Sequence, residues 1–178
     1  MHAQEVVHFW RDAGPQRWFE KSQAFDDMCE LGFEEACEQA ANGEFDHWAT
    51  TAEGALALVL LLDQLPRNIH RRTRQAYSAD DKALQVASEA IEQGFDEQVD
   101  EELRQFFYTP FMHSESMADQ DRAVELYQAL NGTGSAKWAL HHRAIIERFG
   151  RFPHRNAILG RDSTAEEEAW LQEGGFSG

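Results

Sequence analysis

The side chains best suited to chemistry in this chain of 178 residues fall into three short runs. Asp63, Gln64, Arg67 and Asn68 form the first, and His113, Ser114 and Glu115 the second. His142, Arg143, Arg151, His154, Arg155, Asn156 and Arg161 form the third. Arginine forks beside Asn or Gln amides suit a carboxylate or phosphate, because planar bidentate donors match planar acceptors. A histidine within reach of such an anion can act as general acid or base near neutral pH. The candidates for catalysis are therefore His113, Glu115, His142 and His154, and the other ten would bind the ligand. Ser114 cannot form a relay with its own neighbours; as a nucleophile it would need His142 or His154 to come close. His113 and Glu115 are also metal-ligand types, but no His-x3-His or Glu-x-x-His spacing accompanies them, so neither a metal nor another cofactor is expected.

Each of these groups also has a structural reading. His142 on an apolar helix face serves equally as a hydrogen-bonded core histidine. Ser114 or Ser116 is placed to cap the helix that follows, with Glu115 favoured by the helix dipole. Pro153 and its flanking glycines can build a tight corner between helices, with Asn68 and Asn156 satisfying buried backbone there.

The distribution of charge favours the anion reading. The net charge is −16, which argues against nucleic acid as a partner. Yet Arg67, Arg71, Arg72, Arg74, Arg143, Arg148, Arg151, Arg155 and Arg161 are more than half of the sixteen basic residues. They cluster around two similar strings, Leu65-Pro-Arg-Asn-Ile69 and Phe152-Pro-His-Arg-Asn-Ala-Ile158, which suggests two turns built alike and converging on one end of the fold. A positive patch in a negative protein attracts a small anion. The alternative is that these arginines pair with the acidic helices and hold the fold together.

The elements that must position these runs read as helices throughout. Val6, Phe9 and Trp10 mark a short opening helix. A second starts at Pro15 and runs through Trp18, Ser22, Phe25 and Cys29 until Gly32 stops it. Phe33 to Ala41 form a third. Thr50 or Thr51 caps a helix that is apolar nearly all round from Ala55 to Leu62, and so centrally buried. It delivers Asp63 into the first Pro-Arg-Asn turn, where a carboxylate at the end of an apolar helix requires a partner, most simply an arginine. Ser78 to Asp81 resembles a capping box ahead of Ala83–Ile91. Asp100 to Glu102 open a helix that Pro110 closes, and the next presents Met117, Ala123, Val124, Tyr127 and Leu130. Asn131 to Gly134 read as a loop, and a helix from about Ser135 turns Trp138, His142, Ile145 and Phe149 to one face. Ser163-Thr164 caps a last helix through Trp170. No β-alternation occurs. The expectation is a single all-α domain over residues 1–178, with eight or nine helices in antiparallel pairs. Cys29 and Cys37 read as reduced core thiols of a cytoplasmic protein. The apolar run from Ala55 to Leu62 is too short to span a bilayer.

Three strings carry a family resemblance. They are Leu62-Asp-Gln-Leu-Pro-Arg-Asn68, then His113-Ser-Glu115 after Tyr-Thr-Pro-Phe-Met. The third is His142-Arg143 followed by Ile145-Ile146 and Arg148-Phe-Gly-Arg-Phe-Pro-His-Arg-Asn156 through Leu159-Gly-Arg161. Together with the early Phe9-Trp10 and Trp18-Phe19 pairs, they resemble the bacterial and fungal family of unknown function called DUF924 over nearly the whole chain. The resemblance implies a tetratricopeptide-like α-α superhelix and no particular activity. His70-Arg-Arg72 departs from the small or apolar stretch that follows Pro-Arg-Asn in similar proteins.

Two functions are compatible with these observations. In one, the helices converge on an arginine–histidine pocket that binds a small anionic metabolite, with hydrolytic or transfer chemistry available to its histidines. In the other, the superhelix is a scaffold for a peptide or protein segment. No repeat of about thirty-four residues recurs, and the polar strings are too irregular to be consensus helix faces, so the pocket is the favoured reading.

Overall fold

The computed structural model describes residues 1–130 and 136–176. The chain is all-α, with no strand among the described residues. The loop expected at Asn131–Gly134 and the helix start at Ser135 lie outside them.

Helix α1 (Ala3–Phe19) is two segments joined at Gly14, whose φ of 75° and ψ of 169° break the helical path just before Pro15. The left-handed φ suits glycine, and Pro15 then opens the second segment, where its missing N–H costs nothing. This segment ends sooner than the sequence pattern implies. Ser22 is the N-cap of a new helix, its side chain accepting from the Phe25 N–H, instead of one position along an unbroken helix face. Helix α2 (Gln23–Ala41) then runs straight through Gly32, so the expected stop does not occur. An interior glycine costs about 1 kcal/mol relative to alanine. Burial of Phe25, Cys29, Phe33, Ala36, Cys37 and Ala40 along one stripe outweighs that.

Thr51 caps α3 (Ala52–Val59), and every residue from Ala55 to Leu62 is completely buried, as an all-round apolar helix requires. Helix α1 packs on α3 from one side and α5 (Asp80–Glu92) from another, while α2 packs along α4 (Leu65–Ile69). Between α3 and α4 the chain makes one π-helical turn, Leu60–Gln64, in which the Leu65 N–H reaches back to the Leu60 carbonyl. Pro66 supplies the reason. It has no N–H for the Leu62 carbonyl, and its ring would collide with that carbonyl in a regular α-helix; a widened turn relieves both problems. The wide turn also sets where Asp63 and Gln64 emerge.

The proposed capping box at Ser78 is not formed. Ser78 Oγ donates to the Gln75 carbonyl within a short 3-10 turn, and Ala79 occupies the N-cap of α5. Helix α6 (Glu101–Arg104) tightens into a 3-10 turn by itself, and Pro110 then opens α7 (Thr109–His113) instead of closing its predecessor. Helices α8 (Met117–Ala129) and α9 (Ala136–Phe149) pack along each other, and α7 packs against α8.

The chain then turns through Pro153–Arg155 and α10 (Asn156–Leu159) to α11 (Ala165–Gln172), which Thr164 and Glu167 cap reciprocally. Ile145, Ile146 and Phe152 form a small second core here, packed against Met117, Phe149, Trp170 and Phe176. Cys29 and Cys37 are both free and buried. Burial raises both thiol pKa values to about 12, which keeps them protonated and unreactive. No helix among the described residues is long and apolar enough to cross a membrane.

Candidate functional site

The two Pro-Arg-Asn turns meet at Asp80, at the start of α5. Arg67 from α4 forks onto both Asp80 oxygens at 2.9 Å each. From the second turn, Arg155 Nη1 stops 3.7 Å short of the same carboxylate. Both guanidinium groups lie over the Tyr77 ring, and Arg74 Nη2 donates to the Leu159 carbonyl at 2.9 Å, tying the turns together.

Asp63 is the buried anchor. Its side chain is wholly inaccessible, and four neighbours converge on it: Arg67 Nη1 at 3.0 Å, His113 Nδ1 at 2.7 Å, Gln64 Nε2 at 2.6 Å and Thr109 Oγ1 at 3.2 Å. The arginine partner anticipated for Asp63 is Arg67, four residues on along the chain. Burial alone would raise the Asp63 pKa, but Arg67, His113 and Gln64 more than offset it, and the carboxyl stays ionised well below the usual range.

A carboxylate only accepts, so His113 must carry its proton on Nδ1 and leave Nε2 as a lone pair. Burial and then Arg67 lower its pKa against the pull of Asp63, so the ring is neutral near pH 7. His142 repeats the arrangement. Its Nδ1 lies 2.8 Å from the Trp138 carbonyl, which fixes the same tautomer, and burial with neighbouring His113 lowers its pKa to about 3. The two rings are 6.4 Å apart. His154 is neutral as well, its pKa lowered to about 4 by burial and then Arg155; its Nδ1 is buried without a partner.

These groups line a cavity of about 760 Å3. Lys21, Arg67, Arg71, Arg72 and Arg155 face it, against only Glu20 and Glu102. Arg155 is the unusual member. It is 7% exposed, sandwiched between the Tyr77 and Phe152 rings at 4.7 and 4.5 Å, and its guanidinium donates no hydrogen bond among the described residues. Burial and the adjacent Arg67 lower its pKa to about 10, which leaves it charged at pH 7. A desolvated cation with open donors is costly unless an anion meets it.

Of the residues singled out in the sequence, Gln64, Arg67, Asn68, His113, His142, His154 and Arg155 line the cavity, with Asp63 directly behind. Asn68 also donates to Asp26, which Arg71 holds in a two-point fork. The rest brace the walls or lie elsewhere. Glu115 accepts the Phe152 N–H at 2.8 Å and a fork from Arg161 at 2.7 and 2.9 Å, while Ser116 takes the N-cap position of α8 without a side-chain cap bond. Burial would raise the Glu115 pKa, but Arg161 and the Phe152 N–H together hold it below the usual range. Arg161 also donates to Asn156 Oδ1, and Asn156 to Glu167. Arg151 forks onto Glu167 and reaches the Asp162 carbonyl, a structural role within the 148–161 stretch. Ser114 Oγ donates to Asp119, and Arg143 pairs with Asp121 and Glu147 away from the cavity.

Several lining residues were not singled out as site residues, among them Lys21, Tyr77, Tyr127, Trp138 and Phe176. Trp138, expected on the inward face with His142, is 54% exposed, and Phe19 is 67% exposed; both line the cavity. Helical spacing gave no signal for Trp138, which shares a face with His142 and Ile145. Arg72 adopts a left-handed φ of 65°, rare for a residue with a side chain.

Chemically, the cavity offers one buried cation without a hydrogen bond among the described residues, and two imidazoles, His113 and His142, whose lone pairs are oriented by fixed Nδ1 partners. Its lining has no serine or cysteine among the described residues, and the Thr109 hydroxyl is committed to Asp63 and the Phe106 carbonyl. His113, its Nδ1 fixed by Asp63, is the lining group oriented for proton transfer.

The fold has a close counterpart in the solved structure of a protein of unknown function from Agrobacterium tumefaciens. The two are 49% identical over 96% of this chain and 97% of that one, with a TM-score of 0.90. No curated protein matches the chain. The model of the family DUF924, described as bacterial protein of unknown function, matches residues 6–175. That span takes in both Pro-Arg-Asn turns and the histidines between them, and the chain belongs to the DUF924 family.

Proposed function

We propose that this protein binds a small organic anion, a carboxylate or a phosphate, in the cavity between the two Pro-Arg-Asn turns. The observation that carries the reading is Arg155, a buried guanidinium facing the cavity that donates no hydrogen bond to the described residues. Support comes from Lys21 and Arg72, which line the same cavity without an ion pair among the described residues although the chain as a whole carries a charge of −16. His113, oriented by Asp63, is the group placed to move a proton on a bound ligand, and hydrolysis or group transfer is the chemistry this arrangement favours.

The test is ligand-dependent stability. Phosphate or succinate should raise the melting temperature of the wild type, since a ligand that prefers the native state stabilises it by mass action. The rise should vanish in Arg155→Met and persist in Arg143→Ala, whose side chain lies off the cavity. Equal responses in all three proteins, or none in the wild type, would remove the reading.

A further inference from the structure

A bare phosphate or short dicarboxylate would fill only a corner of a cavity of about 760 Å3. Spaces of this size accommodate molecules of metabolite or drug dimensions, largely through apolar contact. The walls agree with that. Trp18, Phe19, Tyr77, Tyr127, Trp138 and Phe176 supply aromatic surface around the charged groups.

Their exposure gives the cavity a direction. Asp63 is wholly buried and Arg155 is nearly so, which puts the cationic end deep in the fold. Phe19 and Trp138 are the only aromatic side chains left largely exposed among the described residues, and both line this one cavity. Scattered apolar residues on a surface need no explanation, but two large rings facing the same opening do. Phe176 covers the imidazoles of His142 and His154 at 4.8 and 5.1 Å, extending apolar surface inward from the mouth toward the cationic end. At the rim, Lys21 and Arg72 are exposed and make no ion pair among the described residues, so their field is free to draw in an anion.

We infer that the ligand is an amphipathic anion, which enters head first, seats its carboxylate or phosphate at Arg155, and lays an aromatic or aliphatic body against Trp18, Phe19, Trp138 and Phe176. The inference rests on the anion site proposed above and adds the chemical class of what occupies it. Aromatic and aliphatic bodies share the apolar contact, and the choice of probe distinguishes them.

The experiment measures binding by calorimetry, with intrinsic tryptophan fluorescence as a second readout because Trp18 and Trp138 both line the cavity. The probes are inorganic phosphate, phenyl phosphate and hexyl phosphate. At least one organic phosphate should bind ~10-fold or more tightly than inorganic phosphate, the gain expected from burying one apolar group of this size. Preference for phenyl phosphate would indicate stacking on the rings, and preference for hexyl phosphate a chain laid along them. Phe19→Ala and Trp138→Ala remove exposed side chains, so the fold should survive. They should erase the gain while leaving inorganic phosphate unaffected. If all three probes bind equally, the amphipathic inference is wrong and the anion site stands. If none binds, both fall.

Discussion

Arg155 lies 3.7 Å from Asp80 without a hydrogen bond, because Arg67 already occupies both oxygens of that carboxylate at 2.9 Å. Two cations therefore share one anion, and the more deeply buried of them is left with open donors. That arrangement is unfavourable for stability, and the proposed anion site rests on it.

Arg155→Met tests this directly. Methionine keeps the apolar stem between Tyr77 and Phe152 and removes a desolvated charge, while Asp80 retains Arg67. Stability should stay within about 1 kcal/mol of wild type, since replacing a poorly compensated buried ion by a packed apolar side chain is often neutral or favourable. Denaturant titration checks it. A loss of about 3–5 kcal/mol would show that Arg155 is half of a structural ion pair.

Asp63 should behave in the opposite way. In Asp63→Ala, the buried His113, Arg67 and Gln64 lose a common acceptor, and the cost should be about 3–5 kcal/mol. Asp63→Asn keeps the shape but can no longer accept from His113, Gln64 and Arg67 as a carboxylate does, so its loss should be intermediate. Equilibrium unfolding of the two variants side by side measures the difference.

The neutral histidines set an acid limit. His142 faces His113, His141, Arg155, the Trp138 carbonyl, Phe152 and Phe176, an environment that resists protonation. Its folded pKa of about 3 lies below the ordinary histidine value of 6.5, so between those values the unfolded chain binds the extra proton. Its contribution is complete above pH 6.5 and is lost as pH falls toward 3. From pH 8 to pH 5 the loss should be about 2 kcal/mol for this residue. His154 adds to it in the same direction, with a folded pKa of about 4. Denaturant melts across that range should show the decline, and His142→Asn should flatten it.

Glu167 governs a separate and lower window. Arg151 and the Thr164 N–H hold its pKa at about 2, below the ordinary glutamate value of 4.5. Its contribution is present above 4.5 and disappears as pH falls toward 2. In Glu167→Gln the unfolding seen between pH 6.5 and 4.5 should be unchanged, and only the steeper loss below 4.5 should weaken. A variant that altered the upper window instead would separate Glu167 from this account.

Glu115 is a positioning residue in the same sense. Its fork with Arg161 and its bond from the Phe152 N–H hold the backbone three residues before Arg155. Glu115→Gln should cost about 1–2 kcal/mol, modest because both side chains keep some solvent contact. Faster hydrogen exchange confined to residues around 150–161 would show the segment loosening. Unchanged exchange there would mean that Phe152 and the second core hold the turn unaided.

What the sequence alone determined follows from local pattern and composition. The unbroken apolar run from Ala55 to Leu62 required a central buried helix, and it is completely buried. Asp63 at the end of that run required a partner and has Arg67, one helical turn away. Thr164 with Glu167 formed the cap that its spacing called for. The resemblance to DUF924 rested on contiguous strings, which folding does not alter. Tertiary structure decided the rest, because it depended on groups distant in the chain. The stripe buried by α2 carried that helix through Gly32, which local propensity would have ended. Trp138 is indistinguishable from an inward residue by helical spacing, yet packing leaves it over the cavity. Above all, nothing in the string Arg151 to Arg161 tells one arginine from another. Arg151 is taken by Glu167, sixteen residues on, and Arg161 by Glu115, forty-six residues back. Among the described residues Arg155 reaches only Asp80, where Arg67 is already bound, so three-dimensional competition for carboxylates leaves it the one guanidinium of these three without a hydrogen bond.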